Sequence, residues 1–221
     1  MKEKKYLSII SHYEKCLHDH GDSHLGVDWP TEMDADLRHE VMLGIIQYYQ
    51  NRKVKLLDFG CGASHLYDYI IRKNMADLID YHGLDISEKF ISLSKNKYPH
   101  INYYCQNITE NNYNLDQFDY IILNGVFTEK CDLSFDEMFT YFKEILIRVK
   151  KITRIGFAFN VMSKQVDWER KDLFHLQFDK LANFLTQNIS RHFLIRHDYG
   201  LFEYTTYVYN NHTLLNQQFQ Y

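Results

Sequence analysis

Two acids and a pair of glycines carry the spacing in this chain that can do ligand chemistry. Val54-Lys55-Leu56-Leu57-Asp58 is a short apolar run ending in a carboxylate, and Phe59-Gly60-Cys61-Gly62-Ala63-Ser64-His65 follows it directly. Glycines at 60 and 62 let a backbone approach a ligand without a Cβ in the way. A second short run, Tyr81-His82-Gly83-Leu84, ends in Asp85. An acid about 20 residues beyond a glycine turn is placed to bind ribose hydroxyls. Asn107 and Asn124 each lie just past a further apolar run. The chemistry these residues imply is the holding of a nucleoside-containing cofactor. The dinucleotide fingerprint GxGxxG has His65 where its third glycine belongs, which weakens a nicotinamide reading. Asp58 beside the turn suits a ligand with an ammonium group.

Elements of a particular kind must position these residues. An apolar run feeding a glycine turn and then a helical pattern is a buried parallel strand meeting a helix N-terminus. Such strands are expected at 54–59, 81–85, 101–105, 118–124 and 154–160. Helices between and around them are expected at 4–18, 31–49, 64–73, 88–97 and 177–189, with another opening at Ser134. Tyr6, Ile9, Ile10 and Tyr13 give the first an apolar side, and Leu37, Val41, Ile45 and Tyr48 give the second its stripe. Ser87 is a candidate N-cap. Ser134-Phe135-Asp136-Glu137 is a capping box. Residues 161–176 read as irregular, and 193–209 as two strands around a Gly200 turn, a terminal antiparallel hairpin. Strand–helix alternation of this kind implies right-handed crossovers, a mostly parallel sheet with helices on both faces, and a ligand at the carboxyl ends of the strands where their order switches.

Composition sets the bounds. The 221 residues suit one domain with a sizeable core, and 18 Tyr with 15 Phe make part of that core or a pocket aromatic. A net charge of −4 does not favour a nucleic-acid partner. Cys16, Cys61, Cys105 and Cys131 form no CxxC, which argues against a sequence-readable zinc site and against a disulfide framework. No stretch approaches the ~18 apolar residues of a membrane span, and the charged start, Met1 to Lys5, leads into no signal-like core. The expectation is a soluble cytoplasmic protein.

The run Leu57-Asp58-Phe59-Gly60-Cys61-Gly62, then Asp85, Asn107 and the segment Asp119 to Asn124, resembles the class I S-adenosylmethionine-dependent methyltransferases over roughly residues 33–209. The resemblance implies a Rossmann-like, doubly wound α/β fold. It would have a seven-stranded, mostly parallel sheet, a C-terminal antiparallel hairpin and an N-terminal helical lid, with 1–32 as the lid segment and 33–221 as the methyltransferase domain. By position, Asp58, Phe59, Gly60, Cys61 and Gly62 would border the methionine part. Asp85 would hold the ribose diol, with Ile86 against adenine. Asn107 and Ile108 would flank the base, and Asn124, Gly125 and Val126 would lie beneath the sulfonium, with Trp29 lining the same space. This chain has Asn107 where the family often has an acid.

The flanking pieces His20-Gly21-Asp22, Gly26-Val27-Asp28-Trp29, Gly125-Val126-Phe127, Phe159-Asn160-Val161-Met162-Ser163 and Arg196-His197-Asp198-Tyr199 with Glu203 are similar to a bacterial branch associated with surface-polysaccharide biosynthesis. That likeness implies a small polar acceptor, the oxygen of a sugar or of a phosphorylated or nucleotide-linked glycan precursor. His197 is the first candidate for general base, with Asp198 as its orienter. His20 and His24, in a loop able to cover the cleft, come next. Tyr67, Phe127, Asn160, Arg196 and Tyr199 are assigned to the acceptor side, and no metal is assigned. N-methylation of a small metabolite and a nicotinamide-dependent oxidoreductase remain as alternatives.

Overall fold

The computed structural model describes residues 5–46, 52–110 and 114–210. Helix α1 (Leu7–His20) leads through a short 3₁₀ turn at Leu25–Val27 to α2 (Glu32–Leu43). Then come β1 (Val54–Phe59), α3 (His65–Arg72), β2 (Ile79–Asp85), α4 (Glu88–Lys97), β3 (Asn102–Cys105) and β4 (Phe118–Leu123). The chain continues with α5 (Phe135–Ile152), β5 (Thr153–Ser163), β6 (His175–Leu176), α6 (Phe178–Asn188), β7 (Phe193–Arg196) and β8 (Glu203–Tyr209).

The strand order is β3-β2-β1-β4-β5-β8-β7, with β6 beside β5. β1 to β5 pair in parallel, while β8 runs antiparallel between β5 and β7. This is the mostly parallel Rossmann-like sheet with a terminal hairpin. The seven strands expected form the continuous path, and the two-residue β6 is an addition in the stretch read as irregular. β5 also runs on to Ser163, three residues past its expected end, because Val161 and Ser163 are fully buried under their neighbours. α2 ends at Leu43, where Gly44 closes it, earlier than the stripe suggested. Tyr48 of that stripe lies outside the described residues.

Alternation along the central strands builds two cores. Leu57, Phe59, Ile121 and Leu123 face α5 and α6 through Met138, Phe142, Ile145 and Leu181. Leu56, Tyr120 and Ile122 face α2, α3 and α4 through Met42, Leu66, Ile70 and Ile91. Helices therefore cover both faces, as period-2 burial on a parallel sheet requires. Both helix-start signals form. The Ser87 side chain accepts from the Phe90 backbone amide. Ser134 and Glu137 cap α5 reciprocally.

Candidate active site

The switch in strand order falls between β1 and β4, and the carboxyl ends of β1, β2 and β4 meet there. Register brings the key groups together. Phe59 pairs with Leu84, so Asp85 stands beside the glycine turn. The Leu84 carbonyl accepts from the Gly60 and Cys61 amides at 2.7 and 3.0 Å. Asp85 then accepts from the Gly62 amide at 3.0 Å and from the Ser87 amide at 2.9 Å, tying the turn to the start of α4. Gly60 and Gly62 adopt φ of 75° and 50°, which side chains other than glycine rarely take.

Above these groups is a cavity of about 150 Å³. Asp58, Phe59, Gly60, Cys61, Gly62, Asp85, Ile86, Asn107, Ile108, Asn124, Gly125 and Trp29 all line it. Val126 lines it too; sequence reasoning did not assign the residues of the remaining wall. Tyr6, Ile9, Ile10 and Tyr13 of α1 form a roof, α2 supplies His39, and α5 supplies Tyr141 and Ile145. Tyr6 stacks on Tyr141 with ring centroids 5.3 Å apart, and its hydroxyl accepts from Asn107 Nδ2 at 2.8 Å. The α1 stripe was legible, and an apolar helix face with no strand of its own to cover was the available signal for the roof. His39 left no such signal.

Trp29 lies directly on Gly125. Gly125 has φ of 79°, and a Cβ there would meet the indole at 2.8 Å. Its backbone is held from several sides. Asn160 Oδ1 accepts from the Gly125 amide at 2.8 Å, and the Gly125 carbonyl accepts from the Tyr13 and Thr128 hydroxyls. Asn160 in turn donates to Glu203 at 2.9 Å, and Glu203 accepts from Arg38 Nε at 2.9 Å. The Arg38 guanidinium sits 4.2 Å from the Trp29 ring centre, closing the circuit.

The electrostatics are those of a site prepared for a charged ligand. Burial pushes the Asp58 carboxyl up to about 7, against the hydrogen bond it accepts from Tyr81 at 2.7 Å. Burial raises Asp85 as well, against the amides of Ser87 and Gly62. Burial and the nearby His65 hold His39 down to about 3, so its imidazole is neutral at physiological pH. The Asn124 Oδ1 and His39 Nδ1 atoms are buried without a hydrogen-bond partner among the described residues. Unpaired buried polar atoms are costly, and at a cavity wall they point to a ligand.

The residues expected on the acceptor side do not line this cavity. His197 is exposed and packs edge-on against Phe178, with ring centroids 5.5 Å apart. Asp198 is exposed and bound to Arg196 at 3.0 Å, which keeps both in the β7–β8 connection. His20 is exposed at the end of α1, while His24 holds the Trp29 carbonyl at 2.7 Å. Tyr67 is packed between Tyr81 and Tyr98. Phe127 and Asn160 are fully buried, Phe127 against Phe142 and Asn160 behind Gly125. Tyr199 bonds to Thr205 at 2.9 Å.

Known proteins agree with this architecture. Residues 57–146 match the family model described as "Methyltransferase domain". A Mycobacterium tuberculosis protein named "Putative methyltransferase Rv1506c" is 24% identical over 156 residues, 68% of this chain and 90% of its own. Magnesium protoporphyrin IX methyltransferase from Synechocystis, solved with bound SAM, superposes with a TM-score of 0.65 at 11% identity, over 95% of this chain and 98% of that one. The plantazolicin methyltransferase BpumL, solved with SAH and a triazolic desmethyl analogue, gives 0.60 at 15% identity, over 95% and 92%. The matched segment and the sheet with its cavity define the fold: a Rossmann-like α/β sheet of the methyltransferase type. The Synechocystis enzyme was also solved with bound SAH, at a TM-score of 0.61 and 11% identity.

Proposed function

We propose that the chain transfers a methyl group from S-adenosylmethionine to a hydroxyl oxygen of a small polar acceptor. The preferred class is a sugar or a phosphorylated or nucleotide-linked sugar, met in the cytoplasm. The observation that carries the reading is the cavity itself. It presents two buried carboxylates and a glycine cradle at one wall, and an orphaned Asn124 amide oxygen beside Gly125. The sugar preference rests on the likeness of the flanking pieces to the polysaccharide-associated branch.

The residues fit the cofactor. Asp58 has a buried carboxyl and no cation beside it among the described residues, and the amino-acid ammonium supplies that charge. Asp85 keeps lone pairs for a ribose diol beyond those its two amide donors use. Ile86, Ile108 and Tyr141 give the base an apolar slot, with Asn107 at its edge. The cofactor contributes a methyl group already activated on a sulfonium, so the protein's task is alignment at roughly 3–3.5 Å and removal of a proton. Asn124 Oδ1 accepts a hydrogen bond from the acceptor and turns a lone pair of the oxygen toward the methyl. His39 is the cavity's available imidazole, since His65 Nε2 is taken by Asp22 at 2.7 Å. The cofactor's carboxylate is the negative charge that would lift His39 toward the working range of a general base.

Calorimetric titration with S-adenosylmethionine and S-adenosylhomocysteine is the first test. Asp85→Ala is expected to weaken binding by about 10- to 100-fold, the scale of one charged hydrogen bond. Absence of binding by the intact chain would end the proposal. With sugar-nucleotide acceptors and labelled donor, His39→Ala is expected to lower kcat about 10²- to 10⁴-fold with little change in donor Kd. An unchanged kcat would remove His39 from the role of base.

A further inference from the structure

Outside the cavity, on the other side of its roof, three groups with ligand chemistry converge. His12 and Cys16 lie four residues apart in α1 and so share one face of the helix. Asp28 reaches them from the loop that follows. His12 Nε2 is 2.8 Å from Asp28 Oδ2 and 3.8 Å from Cys16 Sγ, and one donor atom from each residue fits within a 4.8 Å span. All three are partly buried. Asp28 takes a left-handed conformation, φ 60°, which turns its side chain back onto α1.

A fourth group faces the cluster from the body of the protein. Glu129, between β4 and α5, is 7% exposed, and its carboxylate makes no hydrogen bond among the described residues. Asp28 is paired with His12, and Arg170 with Asp172.

We propose that His12, Cys16 and Asp28 form a zinc-type site whose bound cation fastens the N-terminal roof to the methyltransferase domain. Thiolate, imidazole and carboxylate together select such a metal over magnesium or calcium. Tetrahedral coordination sets donor atoms about 3.3–3.7 Å apart. Rotation of the His12 and Asp28 side chains apart by about half an ångström would meet that, since Cys16 already stands off at the right scale. On binding, the Cys16 thiol gives up its proton and the cation takes that proton's place. Water completes the coordination. The mechanical effect follows from the neighbours: Tyr13 succeeds His12 and Trp29 succeeds Asp28, and both line the cofactor cavity.

The test is Co²⁺ titration of the full chain after chelator treatment, followed by displacement with Zn²⁺. One equivalent is expected, with an intense thiolate-to-Co²⁺ charge-transfer band and a tetrahedral visible spectrum. Cys16→Ser should abolish the charge-transfer band, and Asp28→Asn should weaken binding at least about tenfold. Cys131→Ser should change neither. Zn²⁺ should also protect Cys16 of the unmutated chain from alkylation and slow release of bound S-adenosylhomocysteine. The protection readout holds even if a variant fails to fold. No charge-transfer band with the unmutated chain, a band that survives Cys16→Ser, or equal alkylation of Cys16 with and without Zn²⁺ would each overturn the site. Protection without slower release would overturn the fastening role.

Discussion

At the residue scale, Asp58 sets the site's pH behaviour. Its unfolded value is near 3.9, and its folded value is raised to about 7 by burial. Between those values the folded state binds the extra proton, so this group makes stability fall as pH rises from about 4 to about 7. In the proposed site, the donor's ammonium would reverse the penalty by pairing with the ionised form. Donor affinity is therefore expected to rise between about pH 6 and pH 7.5, with a proton released on binding. Calorimetry in buffers of different ionisation enthalpy reads that proton, and Asp58→Asn should remove both effects. Asp58 was legible as an acid beside a glycine turn. Its titration was not, because that depends on Tyr81 and on burial by residues far off in sequence. His39 shows the same limit more sharply. Its place in the cavity wall comes from α2 packing on α3, and no local spacing around it announces that contact.

At the scale of elements, local signals did well where they close locally. The Ser134–Glu137 capping box is such a case, since all its partners lie within four residues. Ser134→Ala is expected to cost about 1 kcal/mol, and to lower the melting temperature by about 2–4 °C in a chain of this size. Donor affinity should be unchanged, because the cap lies apart from the cavity wall; thermal melts with and without the cofactor check both points. The strands of the parallel core were equally readable from their apolar runs. β6 escaped because two residues carry no period; His175 and Leu176 are strand only by virtue of β5 beside them. The local pairing of Arg196 and Asp198 was also hidden in the sequence. Arg196 and Asp198 read as free functional groups in sequence, whereas in space they satisfy each other across two residues.

At the scale of the molecule, the sheet supplies the floor of the cavity and the N-terminal segment supplies its roof. The division at 32 and 33 expected from the sequence gives this a direct experiment. Deletion of residues 1–30 is expected to leave the sheet folded, since Ile9 is the one α1 residue in the main core cluster. Cofactor affinity should fall at least about tenfold from the loss of Tyr6, Tyr13 and Trp29, each a large buried-surface contributor. Circular dichroism and calorimetric titration separate the two outcomes. Among the described residues, no helix is long and apolar enough to cross a membrane.

The roof has one more consequence. Tyr6, Ile9, Ile10, Tyr13 and Trp29 enclose whatever nucleoside occupies the cavity, and loss of a methyl group changes almost none of the surface they touch. The spent donor is then gripped nearly as firmly as the fresh one. Turnover would be paced by escape of that product, and the enzyme's rate in a cell would follow the ratio of fresh to spent donor.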